Sequence, residues 1–299
     1  MSQPRHNTPS FRVGPWLGRA ALAACVVVTI VPLWVALATA FTPNEELFAS
    51  ASRFFPENPT WFNFQRVLGL VAESDPRLAG KMLPRIDFLR SLINSTIFTV
   101  VAVVPQVFFS ALAAYAFARL RFAGSRLVFF LFIAASMVPA AVLFIPNFIL
   151  VRDLGLLNTF PGMAAPVALM TPFAVFYLRQ VFLSTPVELE EAARIDGAPP
   201  LTIFFRIVLP LHRGPLATLT ILAVIASWNE FFWPYLTGRT EGVRVMAVAI
   251  NAYRSQQPMG GPDWTGLMAC VVLAVVPMVV LLLVLGRKIV ESVQFTGGK

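Results

Sequence analysis

A charged segment lies between two long apolar runs, and it holds the residues whose types and spacing could form ion pairs and hydrogen bonds at the surface. Its charged members near the start are Glu188, Glu190, Glu191, Arg194 and Asp196. Carboxylates and a guanidinium spaced in this way along a helix form ion pairs and hydrogen bonds. No constellation of nucleophile, base and orienting group accompanies them, so the sequence indicates no catalytic chemistry here.

The sequence lacks the motifs of ATP hydrolysis and of metal binding. It lacks the G-x-x-x-x-G-K-[ST] phosphate loop, so it cannot hydrolyse ATP through that chemistry. His6 and His212 are isolated, and no His or Cys cluster has metal-ligand spacing. We therefore expect no catalytic residue, no bound cofactor and no metal ion in this chain.

The composition is that of an integral membrane protein. Of the 299 residues, 57% are hydrophobic and only 13% are charged, and the mean hydropathy is +0.73. A soluble domain carries about a quarter charged residues. The net charge of +8 fits anionic lipid headgroups on one face of the membrane better than it fits nucleic acid.

Six stretches have the length of about 20 apolar residues that a transmembrane helix needs. They are too long and too uniformly apolar for barrel strands, and hydrocarbon offers the backbone no other hydrogen-bond partner. The fold class predicted is therefore all-α. The six spans are Ala20–Pro43, Ser91–Ala118, Leu127–Val151, Leu154–Leu178, Gly214–Gly238 (interrupted by Glu230) and Trp264–Gly286.

Basic residues set the predicted orientation, because cytoplasmic loops carry the excess of Lys and Arg. Almost all of the net charge falls on one side if both termini are cytoplasmic. The alternative that residues 1–40 are a signal peptide, cleaved after Ala38-Thr39-Ala40, fits less well because the apolar run is too long. The predicted divisions are an N-terminal tail 1–19, a six-span transmembrane domain 20–286 with an outer loop 44–90 and a cytoplasmic loop 184–213, and a C-terminal tail 287–299.

The cytoplasmic loop has the start and stop signals of two short helices. Thr185, Pro186 and Glu188 form a capping-box pattern for the first helix, which would present Glu190 on its polar surface. Asp196-Gly197 predicts that the first helix ends at a residue in the left-handed conformation. Pro199-Pro200 then opens a second helix that reaches Arg206.

Polar groups also occur inside the fifth predicted span, where Trp228, Asn229 and Glu230 follow one another. Such groups are costly at membrane depth unless they face the interior of a bundle. Our hypothesis is that Asn229 and Glu230 line a route through the membrane, with Trp228 beside them and Asn94 opposite. The alternative is that Glu230 reaches the membrane surface or pairs with a basic residue of a neighbouring chain.

The spacing of the cytoplasmic loop resembles the coupling loop of permease subunits in binding-protein-dependent ATP-binding-cassette importers. The matching residues are Glu191, Ala192, Ala193, Gly197, Ile207, Leu209 and Pro210. Further motifs resemble the maltose-permease-like subunits of carbohydrate importers, specifically the shorter, six-span partner: Asn94-Ser95, Ala113 through Arg119, Leu154 through Thr159, Trp228-Asn229-Glu230 and Gly297-Gly298-Lys299. The sequence departs from that pattern at Val71–Arg85, which looks like an insertion in the outer loop.

The resemblance implies a sugar importer in the bacterial inner membrane and a set of partners. They are a second homologous permease subunit, two cytoplasmic ATPase subunits, which use ATP and Mg, an extracytoplasmic solute-binding protein, and membrane lipid. Glu191 and Asp196 would make polar contacts with an ATPase, and Ala192 and Ala193 would allow its close approach. Gly197 would provide the turn, while Ile207, Leu209 and Pro210 would join the loop to the fifth span.

Three alternatives stay open from the sequence. A secondary transporter would use Glu230 as an ion site, although the inverted repeats usual in such proteins are not evident. A membrane scaffold would carry no solute. A permease for a solute other than sugar, such as glycerol phosphate, would share the same pattern.

Overall fold

The computed structural model describes residues 15–48, 54–72, 74–78, 83–256 and 261–297, with the side chains of the last helix as far as Gly286. All regular structure in these ranges is helical. The predicted tail 1–19 lies mostly outside the described residues, as do the side chains of the predicted tail 287–299 and part of the predicted insertion Val71–Arg85.

Three helices are long and apolar enough to cross a membrane by themselves. They are α1 (Pro15–Phe41), α3 (Phe88–Arg119) and α14 (Trp264–Gly297). Asp87, just before α3, is its N-cap: the carboxylate accepts a hydrogen bond from the backbone N–H of Arg90. These helices persist through Pro32, Pro105 and Pro277, because neighbouring helices in a packed bundle can satisfy the backbone groups that proline leaves free.

Two further spans are each broken into two helices. Helices α4 (Ser125–Ala135) and α5 (Ala140–Asp153) meet at 97°. Helices α6 (Phe160–Ala168) and α7 (Pro172–Leu183) meet at 49°. Proline lies at both breaks, as Pro139 and Pro172, and because proline has no N–H it cannot continue the hydrogen-bond ladder of the preceding helix.

The segment between α7 and the fifth span is a helical hairpin. Helix α8 (Glu188–Ile195) is followed by α9 (Pro200–Ile203), a π-helical turn (Phe204–Val208) and α10 (Leu209–Leu211). The chain then bends by 81° into α11 (Arg213–Trp228). We refer to α8 through α10 as the hairpin.

The remaining elements complete the opposite end of the bundle. Helix α12 (Phe232–Thr237) follows α11 after a short break, and α13 (Met246–Ser255) leads towards α14. Helix α2 (Phe62–Val67) and a 3₁₀ turn (Pro76–Leu78) lie between α1 and α3. Counting each bent pair as one span, with α9–α10 and α11 as the third pair, brings the spans to as many as six by length and composition. The described residues thus agree with the prediction of an all-helical, six-span membrane protein.

Helix α3 is at the centre of the packing. At the hairpin end, its Tyr115 packs with Phe182 of α7 and Phe204 of the π turn. Near its middle, Phe98 belongs to a cluster with Met163 of α6. At the opposite end, Phe88 joins Phe64, Tyr253 and Cys270 in a third cluster. The hairpin is thus packed directly onto the central helix of the bundle.

Candidate functional site

Helix α8 has one buried anchor and an otherwise exposed surface. Glu190 is only 1% exposed, whereas its neighbour Glu191 is exposed. Ala192 and Asp196 are also exposed, and Ala193 is half-buried. Ile195, an apolar residue, is 86% exposed. Apart from Glu190, the surface of α8 is therefore mostly small or charged, with Ile195 as an exposed apolar side chain near its end.

Arg119, the last residue of α3, holds this anchor. Its Nε lies 2.6 Å from Oε1 of Glu190. Its Nη2 donates to the backbone oxygens of Phe182 (2.8 Å) and Thr185 (2.9 Å), at the end of α7 and just beyond it. The Tyr115 hydroxyl donates to Oε2 of Glu190 at 3.1 Å.

This geometry corrects the prediction that Glu190 lies on the polar surface of the first short helix. The carboxylate is buried because a guanidinium and a phenol at the end of α3 supply the charge and the donors that a buried carboxylate requires. One arginine therefore ties together α3, the end of α7 and α8.

The predicted capping box at Thr185 is wrong. Helix α8 starts at Glu188, and its N-terminus has no side-chain cap. The Thr185 hydroxyl instead lies 2.7 Å from Nε2 of His212, whose Nδ1 lies 2.8 Å from the backbone oxygen of Val208. Thr185 thus joins the start of the hairpin to the bend before α11.

The predicted turn at Gly197 is confirmed, with φ +84°. Glycine occupies this left-handed conformation without the Cβ penalty of other residues. The second helix runs beyond Arg206, where we expected it to end, as far as Leu211. Within it Ile203, Phe204 and Val208 are buried in the core, and Ile207, Leu209 and Pro210 are half-buried.

A cavity of 570 Å³ lies between α3, α5, α6, α7, α11 and α12. Its polar lining residues are Gln106, Asn147, Thr171, Ser227, Glu230 and Trp233. Aromatic side chains, among them Phe98 and Phe144, supply part of the apolar wall. A cavity of this size with a few converging polar groups in an apolar wall is typical of a small-molecule site.

Helix breaks surround this cavity. Ala140 begins α5, Thr171 caps α7, and Glu230 lies in the break between α11 and α12, and all three line the cavity. Thr171 accepts from the N–H of Ala174 and from the Gln106 amide. The Glu230 carboxylate accepts from the backbone N–H of Trp233 at 3.1 Å. Non-helical backbone is tolerated at membrane depth only inside protein or beside a water-filled cavity, so these breaks mark a polar space.

The structure does not bring the four proposed pathway residues together. Glu230 lines the 570 Å³ cavity, but Trp228 and Asn229 line a separate cavity of 360 Å³ beside α13 and α14. The Asn94 amide donates to the backbone oxygens of Glu241 (3.3 Å) and Arg244 (3.1 Å), so it braces the loop before α13.

A buried polar network lies at the end of the bundle opposite the hairpin. Arg66 lies 2.6 Å from Asp263, which also accepts from the Tyr253 hydroxyl at 2.6 Å. Burial acts to raise the pKa of Asp263, but the hydrogen bond and charge of Arg66 outweigh it, so that this pKa lies below its ordinary value. The network joins α2 to the start of α14.

Comparison with known proteins agrees with this architecture. The family described as "Binding-protein-dependent transport system inner membrane component" matches residues 106–294, a range that includes both the hairpin and most of the cavity lining. The chain belongs to this family. It is therefore an inner-membrane subunit of a binding-protein-dependent importer, and the interpretations as a secondary transporter and as a scaffold are set aside.

Two relatives of this inner membrane component cover nearly its whole length. The sn-glycerol-3-phosphate transport system permease protein UgpE of Yersinia pestis bv. Antiqua is 31% identical over 269 residues, which cover 89% of this chain and 91% of the relative. The protein of the same name from Escherichia coli O1:K1 / APEC is 29% identical over 283 residues, or 93% and 96% of the two chains.

A solved structure supports the fold of this inner membrane component. One chain of a bacterial ABC transporter involved in the import of the acidic polysaccharide alginate superimposes with a TM-score of 0.76 at 24% identity. The match covers 95% of this chain and 99% of that chain.

Sequence reasoning missed three features of these sites. Arg119 was part of a recognised motif, but its pairing with Glu190 spans 71 positions of sequence and no local pattern reports it. Arg66 and Asp263 are 197 positions apart. The bond between Glu230 and Trp233 had a local signal in the sequence. Trp233 follows Glu230 by three residues, which is the spacing at which a side chain accepts from a backbone N–H in the first turn of a helix.

Proposed function

We propose that this inner-membrane component forms half of the translocation pathway of an ATP-driven sugar importer and transmits ATPase motion through the hairpin. The observation that carries the proposal is the two-sided environment of α8. Glu190 is locked to α3 and α7 by Arg119, while Glu191 and Ile195 on the same helix are exposed. A force applied to the exposed side would therefore reach the central helix of the bundle through a charged, buried contact.

In this proposal the exposed side of α8 docks in a cleft of a cytoplasmic ATPase subunit. Glu191 and Asp196 provide polar contacts, Ala192 and Ala193 admit the partner closely, and Gly197 sets the turn. Ile207, Leu209 and Pro210 lie in the second helix of the hairpin, which leads into α11 and so connects docking to the fifth span. This chain binds no cofactor and is not an enzyme; the ATPase subunits use ATP and Mg.

The proposed assembly contains a second homologous permease, two ATPase subunits and an extracytoplasmic solute-binding protein. The hairpin and both termini are cytoplasmic, and the outer loop 44–90 faces the binding protein. Large apolar residues on α1 and α5, including Leu22, Val28 and Ile145, are exposed in the isolated chain, which fits lipid and a second permease as their surroundings.

Sn-glycerol 3-phosphate is a second candidate solute, because the relatives described above carry that solute in their names. Sugar and glycerol phosphate differ in charge, so uptake distinguishes them.

The test is reconstitution of this chain with its second permease and ATPases in vesicles, with the solute-binding protein added outside. We expect solute uptake and ATP hydrolysis that both require the binding protein. Uptake that proceeds without the ATPase subunits contradicts the proposed function.

A further inference from the structure

We propose that His212 is a positioning residue for coupling: its hydrogen bond to Thr185 closes the base of the hairpin, so that a docked hairpin moves α11 together with α3. The proposal rests on the proposed function. It adds a residue that is not among the matching residues of the loop, and through which motion of the ATPases would reach the fifth span.

The first observation is the place of His212 at a bend in the chain. The second helix of the hairpin ends at Leu211, and α11 begins at Arg213 after a bend of 81°. His212 lies between them and is 7% exposed. Its ring meets the ring of Phe182 in α7 edge-on, with the centroids 5.2 Å apart. The chain therefore changes direction at a side chain that is packed against α7.

The second observation is that both ring nitrogens of His212 have partners. Nδ1 lies 2.8 Å from the backbone oxygen of Val208, and because that oxygen only accepts, Nδ1 donates. Nε2 lies 2.7 Å from the Thr185 hydroxyl. A hydroxyl both donates and accepts, so this pairing holds whether or not Nε2 carries a hydrogen. The ring thus joins the end of the hairpin to its start, 27 positions earlier.

The third observation is that Thr185 is itself held by the central helix. The Nη2 of Arg119, at the end of α3, donates to the backbone oxygen of Thr185 at 2.9 Å. Arg119, Thr185 and His212 therefore form a continuous polar path from the end of α3 to the start of α11. Without the bond between Thr185 and His212, the ion pair of Arg119 with Glu190 would still hold α8, but the polar path to α11 would end at Thr185.

The consequence concerns how ATPase motion is divided. A hairpin that is open at its base can tilt about the bend at His212 instead of moving α11. Loss of one hydrogen bond shifts the balance between a closed and an open base by about two- to tenfold. ATP would still be hydrolysed, but fewer cycles would move the fifth span. This loss differs from that expected of Glu191→Lys and Gly197→Val, because the ATPase stays bound.

The test measures solute uptake per ATP hydrolysed. The complete complex of this chain, its second permease and the ATPases is reconstituted in vesicles with ATP inside and the solute-binding protein outside. Radiolabelled maltose and sn-glycerol 3-phosphate are the probes. Thr185→Val removes only the hydroxyl and keeps the backbone oxygen that Arg119 binds. We expect uptake per ATP to fall about two- to tenfold, with the ATPases bound in wild-type amount. Thr202→Val, the same change at a half-buried position of α9, is the matched control and should couple as the wild type does.

Conservative substitutions separate positioning from a merely structural role. The amide of glutamine reaches the position of Nε2, so His212→Gln can keep the bond to Thr185, whereas the shorter asparagine reaches only the position of Nδ1. His212→Gln should therefore retain more uptake per ATP than His212→Asn, and Thr185→Ser should match the wild type. A merely structural role would lower the midpoint of thermal unfolding and the yield of complex, and it would leave uptake per ATP by the assembled complex unchanged.

Two results overturn the positioning role of His212. One is wild-type uptake per ATP in both Thr185→Val and His212→Asn. The other is an equal loss in His212→Gln and His212→Asn, because the bond to Thr185 is then not the cause. The wild-type complex reports on the proposed function in the same vesicles. If its uptake requires the ATPases while the variants behave as it does, the proposed function stands and only this inference falls.

Discussion

The guanidinium of Arg119 and the carboxylate of Glu190 form a buried ion pair, with Nε and Oε1 2.6 Å apart, that joins the end of the central helix to the hairpin. The neighbouring Glu191 is exposed. Two consecutive glutamates therefore have different surroundings: Glu190 joins the hairpin to the bundle, and Glu191 is exposed.

The first prediction uses this matched pair. Glu190→Ala leaves the Arg119 charge buried without its partner, which should destabilise the protein by about 3–5 kcal/mol. Glu191→Ala should leave stability unchanged, because the side chain is exposed. The midpoint of thermal unfolding in detergent measures both. Equal effects of the two substitutions would show that the ion pair does not anchor the hairpin.

The second prediction concerns coupling. Gly197 has φ +84°, and a Cβ added there meets no atom within 4 Å. Gly197→Val should therefore cost stability only through backbone conformation, by about 1–2 kcal/mol. Gly197→Val and Glu191→Lys should both insert in the membrane and pair with the second permease, yet lose the ATPase and uptake. Co-purification of the ATPase and solute uptake into vesicles measure these effects. Wild-type values for both variants would show that the hairpin is not the coupling element.

The third prediction concerns Glu230. Glu230→Gln keeps an oxygen that can accept from the N–H of Trp233, so assembly should be preserved. Uptake of a neutral sugar should fall, since hydrogen bonds to a charged acceptor are roughly twice as strong as neutral ones. Asn229→Ala, in the separate cavity, is the control and should transport normally. Unchanged uptake by Glu230→Gln with unchanged assembly argues against a pathway role for the carboxylate.

The fourth prediction concerns the network of Arg66 and Asp263 at the end of the bundle opposite the hairpin. The pKa of Asp263 is lowered below its ordinary value of 3.8, so the ionised carboxylate stabilises the folded state at neutral pH. That contribution is lost as the pH falls below 3.8 and through the lowered value. Asp263→Asn should cost about 3–5 kcal/mol at pH 7, because Arg66 stays buried and charged.

The same thermal measurement, repeated along a pH series, checks this network. The loss of stability at acidic pH should be smaller in Asp263→Asn than in the wild type. Asp153→Asn removes an exposed ion pair with Arg152 and serves as control, with little expected change. An acid response that is identical in Asp263→Asn and in the wild type would exclude Asp263 as its source.

The fifth prediction is topological. After Cys25→Ser removes an exposed thiol, Ser74→Cys in the outer loop should react with an impermeant thiol reagent in intact cells. In cells that do not produce the ATPase subunits, Ile195→Cys, on the exposed side of α8, should react only after permeabilisation. The reverse pattern would invert the proposed orientation.

The sequence by itself determined the fold class, the membrane spans and the place of the hairpin. In hydrocarbon, an apolar run of spanning length can satisfy its own backbone hydrogen bonds only as a helix, and this constraint acts within each run. The turn at Gly197 was equally readable, because a left-handed residue between two helices is selected by local sterics.

Only the tertiary structure decided which polar residues anchor and which are exposed. Glu190 and Glu191 are adjacent and chemically identical, and the difference between them comes from Arg119 and Tyr115, which reach α8 from another helix. Likewise Asn229 and Glu230 are adjacent but line different cavities, because the helix breaks at that point. The hydrophobic effect drives burial but is non-directional, so it does not select which polar groups meet. The partner of each polar group therefore depends on how the spans pack together and not on its neighbours in sequence.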